Sequence, residues 1–240
     1  MPMEDIPHFM GKVYSANLTS SATHSVVPQY TNEELVYLLK TGIAKDGRFI
    51  PYMVRPNLSD EDVRSIVEYL RSDDPPMLAA DTSVGKTALT GAGKAALRFV
   101  SKPLPYIRGI KTPPENDSIA TGRYLADNIG CYHCHSGSPW SLDYLHPEKS
   151  KHYMEGGMNF KNSKGMKIYA ANLTPDVATG IGSYTRYDFR KAVREGVNPA
   201  GRKLHYPMRE YHSLTDQQLD ALFAYLRSRE AVNHKVKNPF

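Results

Sequence analysis

The sequence predicts an all-α protein made of two small helical domains, the first of them incomplete. Three observations carry this expectation. The chain repeats itself at many registers, the signature of a duplicated module. Each copy holds apolar residues at helical spacing behind capping signals. A Cys-x-x-Cys-His pentapeptide opens the second copy and has no counterpart in the first. A length of 240 residues suits one large or two small domains. The longest apolar runs fall far short of the roughly 20 residues that span a bilayer.

Taken in order, Lys12-Val13-Tyr14-Ser15-Ala16-Asn17-Leu18-Thr19 matches Lys167-Ile168-Tyr169-Ala170-Ala171-Asn172-Leu173-Thr174. The stretches Thr31 to Gly42 and Thr185 to Gly196 each predict a short helix. Thr31 with Glu34 makes a capping box, and Gly42 and Gly196 suit the left-handed stop. Gly47-Arg48 then parallels Gly201-Arg202, Tyr52-Met53 parallels Tyr206-Pro207-Met208, and Leu58-Ser59 parallels Leu214-Thr215. A closing helix ends each copy, with Val63, Ile66, Val67 and Leu70 matching Leu219, Leu222, Phe223 and Leu226 on one apolar stripe. Thr215 with Gln218 caps the second of these helices, and Ser59 with Asp62 caps the first more weakly.

The expected boundaries are residues 1–72 for the first copy, 73–117 for a Pro-rich basic linker and 118–240 for the second copy. Ala95 to Val100 is expected to form a short helix within an otherwise solvated connector. Net charge is +5, and the stretch Thr82 to Pro114 holds six basic residues and no acidic one. The remainder is near neutral and lacks a basic face interleaved with aromatics, which argues against a nucleic-acid protein. Asp117 to Ile129 predicts a helix that runs into Gly130. Gly122, with Tyr124 and Leu125, is expected to let it cross the last helix near Leu222 and Tyr225.

Residues 131–135 read Cys-Tyr-His-Cys-His and hold both cysteines of the chain. This is the attachment sequence for c-type haem. Two thiols one turn apart can add to the two vinyl groups of a porphyrin, and the adjacent His135 is set under the iron as an axial ligand. Two other readings compete. A thioredoxin-like couple would need a preceding strand. A structural zinc, with His133 or His135 joining the cysteines, would usually need a second ligand pair, and His146, His152, His205 and His212 offer none at a recognised spacing. For the opposite iron position Met154, Met158, Met166 and Met208 compete. Met208 stands in a Pro-stiffened loop before the last helix and has Met53 as its counterpart, with His205 and His212 as runners-up. A thioether favours ferrous iron and raises the potential, whereas an open position would suit a peroxidase-type enzyme. Trp140 and Tyr132 are expected to pack against the cofactor or the core edge. Gly85-Lys86-Thr87 is no phosphate loop, because Ala80 stands where its first glycine must be. No side chain is assigned a catalytic role.

The stretch Ala171-Asn172-Leu173-Thr174-Pro175-Asp176, followed by Thr179-Gly180-Ile181-Gly182, resembles the tandem diheme cytochromes c that transfer electrons for bacterial membrane-bound alcohol, aldehyde and sugar dehydrogenases. The turn at Arg194-Glu195-Gly196, the Gly-Arg pair, Pro207-Met208 and the closing Ala224-Tyr225-Leu226-Arg227-Ser228 share the likeness. It covers residues 118–240, and 11–72 without the attachment half. The resemblance implies two cytochrome c-like domains around haem, with Cys131 and Cys134 as thioether positions, His135 as proximal ligand and Met208 as distal ligand. It also implies that the Pro139 carbonyl orients His135 and that Met53 is a possible ligand of an absent first haem.

The implied cofactor is one haem c in this chain, with a second if a preceding segment exists. The implied role is one-electron transfer, with no catalysis of the chain's own, between a redox donor and acceptor such as a membrane dehydrogenase or oxidase complex. The implied compartment is the periplasm or the periplasmic face of the inner membrane, with peripheral membrane contact through the basic linker. The stretch Met1 to Asp5 carries no signal-peptide pattern. Projected backwards, the repeat puts a first attachment motif roughly two dozen residues before Met1. The first domain is therefore expected to be the tail of a haem domain whose front lies outside this chain.

Overall fold

A computed structural model describes residues 8–50, 53–80, 82–100, 103–161, 165–204 and 206–237. Helices dominate, the strands are short, and the chain divides into two compact units, Met1–Thr112 and Pro113–Phe240. Pro51, Tyr52 and His205 lie outside the described residues.

The first unit is built on α1 (Asn32–Thr41) and α2 (Asp60–Leu70). Thr31 closes the front of α1 as expected: its side chain accepts from the Glu34 amide, and the Glu34 carboxylate accepts from the Thr31 amide at 2.8 Å. Gly42 ends the helix at φ 77°, a conformation that glycine adopts without a Cβ penalty. Ser59 caps α2, and Asp60, Glu61 and Asp62 place negative charge in its first turn, where the helix dipole favours it. The two apolar stripes meet as Leu35 and Leu39 against Val63 and Val67, with Val27 and Leu58 completing the core. Met53 packs against that core.

The basic stretch after α2 belongs to the same unit as far as Thr112. The Ser20 amide donates to the Met77 carbonyl at 2.8 Å, β1 (Gly11–Lys12) pairs antiparallel with β2 (Ala88–Leu89), and the Gly109 amide donates to Asp60 at 2.8 Å. Tyr106 stacks on Tyr37 with ring centroids 5.9 Å apart. Helix α3 (Gly91–Val100) includes the short helix expected there. A Pro-rich composition reads as a connector because its backbone partners are distant in sequence and leave no periodic trace.

In the second unit α4 (Ser118–Ile129) leads into the single turn α5 (Cys131–Cys134). The hairpin of β3 (Asn159–Lys161) and β4 (Lys167–Tyr169) follows, with Phe160 opposite Ile168. Helices α6 (Arg186–Glu195) and α7 (Asp216–Arg227) complete it, both with full capping boxes. Helix α4 crosses α7 at Gly122, close to Ala221 and Tyr225, as its small size led one to expect. Arg190 of α6 fastens to α7 through both oxygens of Asp220, at 2.8 and 2.7 Å, and through Asp216.

Each unit contains its own version of the same local hydrogen bonds. Lys40, at the end of α1, donates to the Leu58 carbonyl and lies 3.5 Å from Asp60; Arg194, at the end of α6, donates to the Leu214 carbonyl and to Asp216. Asn17 accepts from the Thr19 amide and donates to the Ala80 carbonyl, while Asn172 accepts from the Thr174 amide and donates to the Val232 carbonyl. Each asparagine thus latches the chain that emerges from a closing helix, α2 in the first unit and α7 in the second. Asn172 is 1% exposed and also donates to Thr179. Asn172→Ala is expected to cost about 1–3 kcal/mol, because the buried Thr174 amide loses its acceptor and the Val232 carbonyl is left with Thr174 as its donor. Denaturant unfolding of the second unit measures that cost.

Candidate cofactor site

Gly130 sets the geometry of the attachment motif. At φ 87° it stops α4 and turns the chain directly into α5, and an added Cβ would strike the His133 ring. The His135 amide donates to the Cys131 carbonyl at 2.9 Å, closing one helical turn. Cys131 and Cys134, three residues apart on that turn, share one side of it.

His135 Nδ1 lies 2.7 Å from the Ala171 carbonyl. A carbonyl can only accept, so the proton sits on Nδ1 and the Nε2 lone pair is left for a metal. The orienting carbonyl is therefore that of Ala171 and not, as the resemblance implied, that of Pro139. The reason is tertiary. The Gly156 amide donates to the His135 carbonyl, the Met158 amide to the Ser136 carbonyl and the Ala170 amide to the Met158 carbonyl, which folds the segment around β4 back over the histidine. Burial lowers the tendency of His135 to protonate, against the opposing pull of the Ala171 carbonyl, and so favours the neutral ring, the form able to ligate a metal. Desolvation, with the nearby Asp127 and Cys134, pushes the Cys131 thiol up to about 12.

Cys131, Cys134, His135 and Met208 all line one cavity of about 730 Å³. Its walls are largely apolar, from residues such as Leu173, Ile181, Phe189, Val193 and Leu222. That volume is within the roughly 300–1,000 Å³ of cofactor and ligand sites. Two thiols, an imidazole with an available Nε2 and a thioether around an apolar space fit a covalently attached haem. The competing methionines are elsewhere: Met154 and Met158 are buried and Met166 is exposed, and none of the three lines the cavity. His212 pairs with Glu210 at 2.9 Å. Met53 belongs to the other unit's core. Among the described residues no three His, Cys, Asp or Glu side chains gather as a metal shell, so the zinc reading lacks its donors. Tyr132 is buried as expected, but Trp140 is 62% exposed and does not cover the cofactor space.

Sequence reasoning missed a polar cluster one turn before Cys131. Tyr153 donates to Asp127 at 2.7 Å, and its hydroxyl lies 3.0 Å from that of Tyr225. Arg123, half exposed, stands 3.6 Å from the same carboxylate. Desolvation holds the Asp127 carboxyl above the ordinary carboxylate range, outweighing the Tyr153 hydrogen bond and Arg123. The fold therefore binds this proton more tightly than the unfolded chain does. Stability falls as pH rises from the ordinary carboxylate value, about 3.9, through the elevated folded value, and the loss persists above it. Asp127→Asn keeps an acceptor for Tyr153 and is expected to flatten that part of the stability–pH curve, measured as melting temperature between mildly acidic and neutral pH.

No protein-family model matches the chain. Curated relatives do. The chain is 32% identical over 129 residues to the fructose dehydrogenase cytochrome subunit of Gluconobacter japonicus, a match covering 51% of this chain and 24% of that one. It is 37% identical over 116 residues to the gluconate 2-dehydrogenase cytochrome c subunit of Pantoea cypripedii, covering 46% and 23%. The cytochrome c subunit of the quinone alcohol dehydrogenase of Gluconobacter oxydans matches at 33% over 112 residues, covering 45% and 20%. The chain thus has cytochrome c subunits of fructose, gluconate and alcohol dehydrogenases as its homologues, and it spans about a quarter or less of their length. Their class carries haem c, the group that the Cys-x-x-Cys-His pattern attaches.

Proposed function

We propose that this chain is a single-electron carrier with one covalently attached haem c, serving a bacterial dehydrogenase complex. The observation that carries the reading is the meeting of Cys131, Cys134, His135 and Met208 on one apolar cavity. In this reading Cys131 and Cys134 form the two thioethers, and His135 ligates through Nε2 while the Ala171 carbonyl holds its ring orientation. Met208 offers a soft thioether from the opposite half of the unit, a ligand choice that favours the ferrous state and raises the potential. A haem bound there supplies a one-electron iron couple. The apolar side chains keep water from the site and hold the ligands with little reorganisation, and no side chain is asked to move a proton or bind an organic substrate.

The recurrence of the Asn17 and Asn172 latches and of the Lys40 and Arg194 ties supports a duplicated module. In a longer protein the first copy would hold its own haem, with Met53 as a ligand. The dehydrogenase names of the relatives support a dehydrogenase as electron donor. Covalent attachment supports a periplasmic setting, and the basic stretch before Thr112 suits peripheral contact with anionic lipid. Among the described residues no helix is long and apolar enough to cross a membrane.

Expression with a working haem-maturation system tests the reading. The polypeptide is expected at its mass plus one porphyrin, with a low-spin spectrum. Met208→Ala is expected to abolish the near-infrared thioether–iron band and to lower the midpoint potential. A polypeptide at its bare mass overturns the proposal.

A further inference from the structure

Besides His135, the charged side chains lining the cavity are Arg209 and Lys235, and no carboxylate lines it among the described residues. Their neighbours are matched: Lys203 and His212 pair with Glu210, and Arg190 and Arg194 with Asp216. Arg209 and Lys235 pair with no carboxylate among the described residues. Cations set against an apolar wall are stabilised when an anion meets them there.

The two arrive by separate routes. Arg209 directly follows Met208 in the loop before α7. Lys235 is carried by the segment that leaves α7 and straps across the unit. Asn172 and Thr174 donate to the Val232 carbonyl at 2.8 and 3.2 Å, the His234 amide donates to Thr179 at 3.0 Å, and His234 Nδ1 donates to the Glu155 carbonyl at 2.9 Å. Those bonds end at His234, directly before Lys235, which with Val236 lines the cavity. The Ala-Asn-Leu-Thr segment thus does two things at once: Ala171 aims the axial histidine, and Asn172 holds the strap.

We infer that Arg209 and Lys235 form a carboxylate-binding pair at the cavity mouth that receives the two propionate groups of the porphyrin, with the strap serving to position Lys235. The inference rests on the reading of the cavity as a haem site and adds the orientation of the ring within it: propionates toward the Met208 loop and the C-terminal strap. Both residues are exposed, as expected for partners of groups at the edge of the ring.

The haem-loaded full chain tests this through potentials. Ferric iron carries one more positive charge than ferrous iron, so removing a nearby cation favours the ferric state and lowers the midpoint potential. Arg209→Gln and Lys235→Gln are each expected to lower it, and the double variant to lower it further. An unpaired propionate also titrates at higher pH, so the potential of each variant is expected to become more pH-dependent toward neutrality. The low-spin spectrum is expected to stay unchanged, and Lys149→Gln, an exposed lysine outside the cavity lining, to leave the potential in place. Haem-loaded variants that keep the parent potential and pH profile overturn the inference while leaving the carrier reading intact, and so does an equal shift in Lys149→Gln. A polypeptide at its bare mass overturns both.

Discussion

Gly122→Ala is expected to destabilise the second unit by about 3 kcal/mol or more, the upper end of what overpacking costs. A Cβ at this position would sit 1.9 Å from the Ala221 carbonyl oxygen, 2.5 Å from its carbon and 2.7 Å from Tyr225 Cβ. Two of these three atoms are backbone, so no rotamer change relieves the clash, and α4 and α7 must separate. Alanine's better helix propensity gains only about 1 kcal/mol in the opposite direction. The steric effect wins. Because α4 runs straight into Gly130 and Cys131, separating the helices also shifts the Cys131–His135 turn relative to the rest of the cavity wall. Thermal unfolding measures the first effect, and haem content after expression with the maturation system measures the second. Unchanged stability would mean that the two helices do not meet at this glycine.

The Cys131→Ala, Cys134→Ala double variant is expected to lose both pigment and the cooperative unfolding of the second unit. In the haem reading, the apolar space of about 730 Å³ loses the group that fills it. At roughly 24 cal/mol per Å³ of cavity, the cost as an upper bound exceeds the roughly 5–15 kcal/mol by which whole domains are stable. Water entering through the mouth reduces that figure, yet it solvates an apolar wall poorly. The first unit, with its own core of Leu35, Leu39, Val63 and Val67, is expected to unfold as it does in the parent. Circular dichroism melts of parent and variant separate the two transitions. A cooperative second transition in the variant would show that this unit folds on its side chains alone.

Capping and periodicity made most helices legible. Thr31, Thr185 and Thr215 sit immediately before their helices, and Gly42, Gly130 and Gly196 end theirs in the left-handed conformation. Such signals are local, so sequence carries them in full. The pairing of α4 with α7 was legible for a related reason, since a glycine amid larger residues on a helix marks a close crossing. What could not be read were partners chosen by tertiary path. The carbonyl that orients His135 lies 36 residues away, and the latch of Asn172 on Val232 spans 60. Neither has a periodic or compositional trace. Trp140 failed as an expected packing residue because its size says nothing about which way a short turn points it. The Asp127–Tyr153–Tyr225 cluster is likewise three ordinary residues until the fold brings them together.

The two asparagine latches bear on how the protein is made. Asn17 waits for Ala80, 63 positions later, and Asn172 for Val232. During synthesis neither module can fasten its early loop until the stretch beyond α2 or α7 has left the ribosome, after that helix could have formed. Loop closure over such distances favours slow, late completion over early local folding. Cutting the gene just after α2 or α7, where a secondary-structure diagram would invite the cut, would leave each asparagine without the distant carbonyl on which it closes.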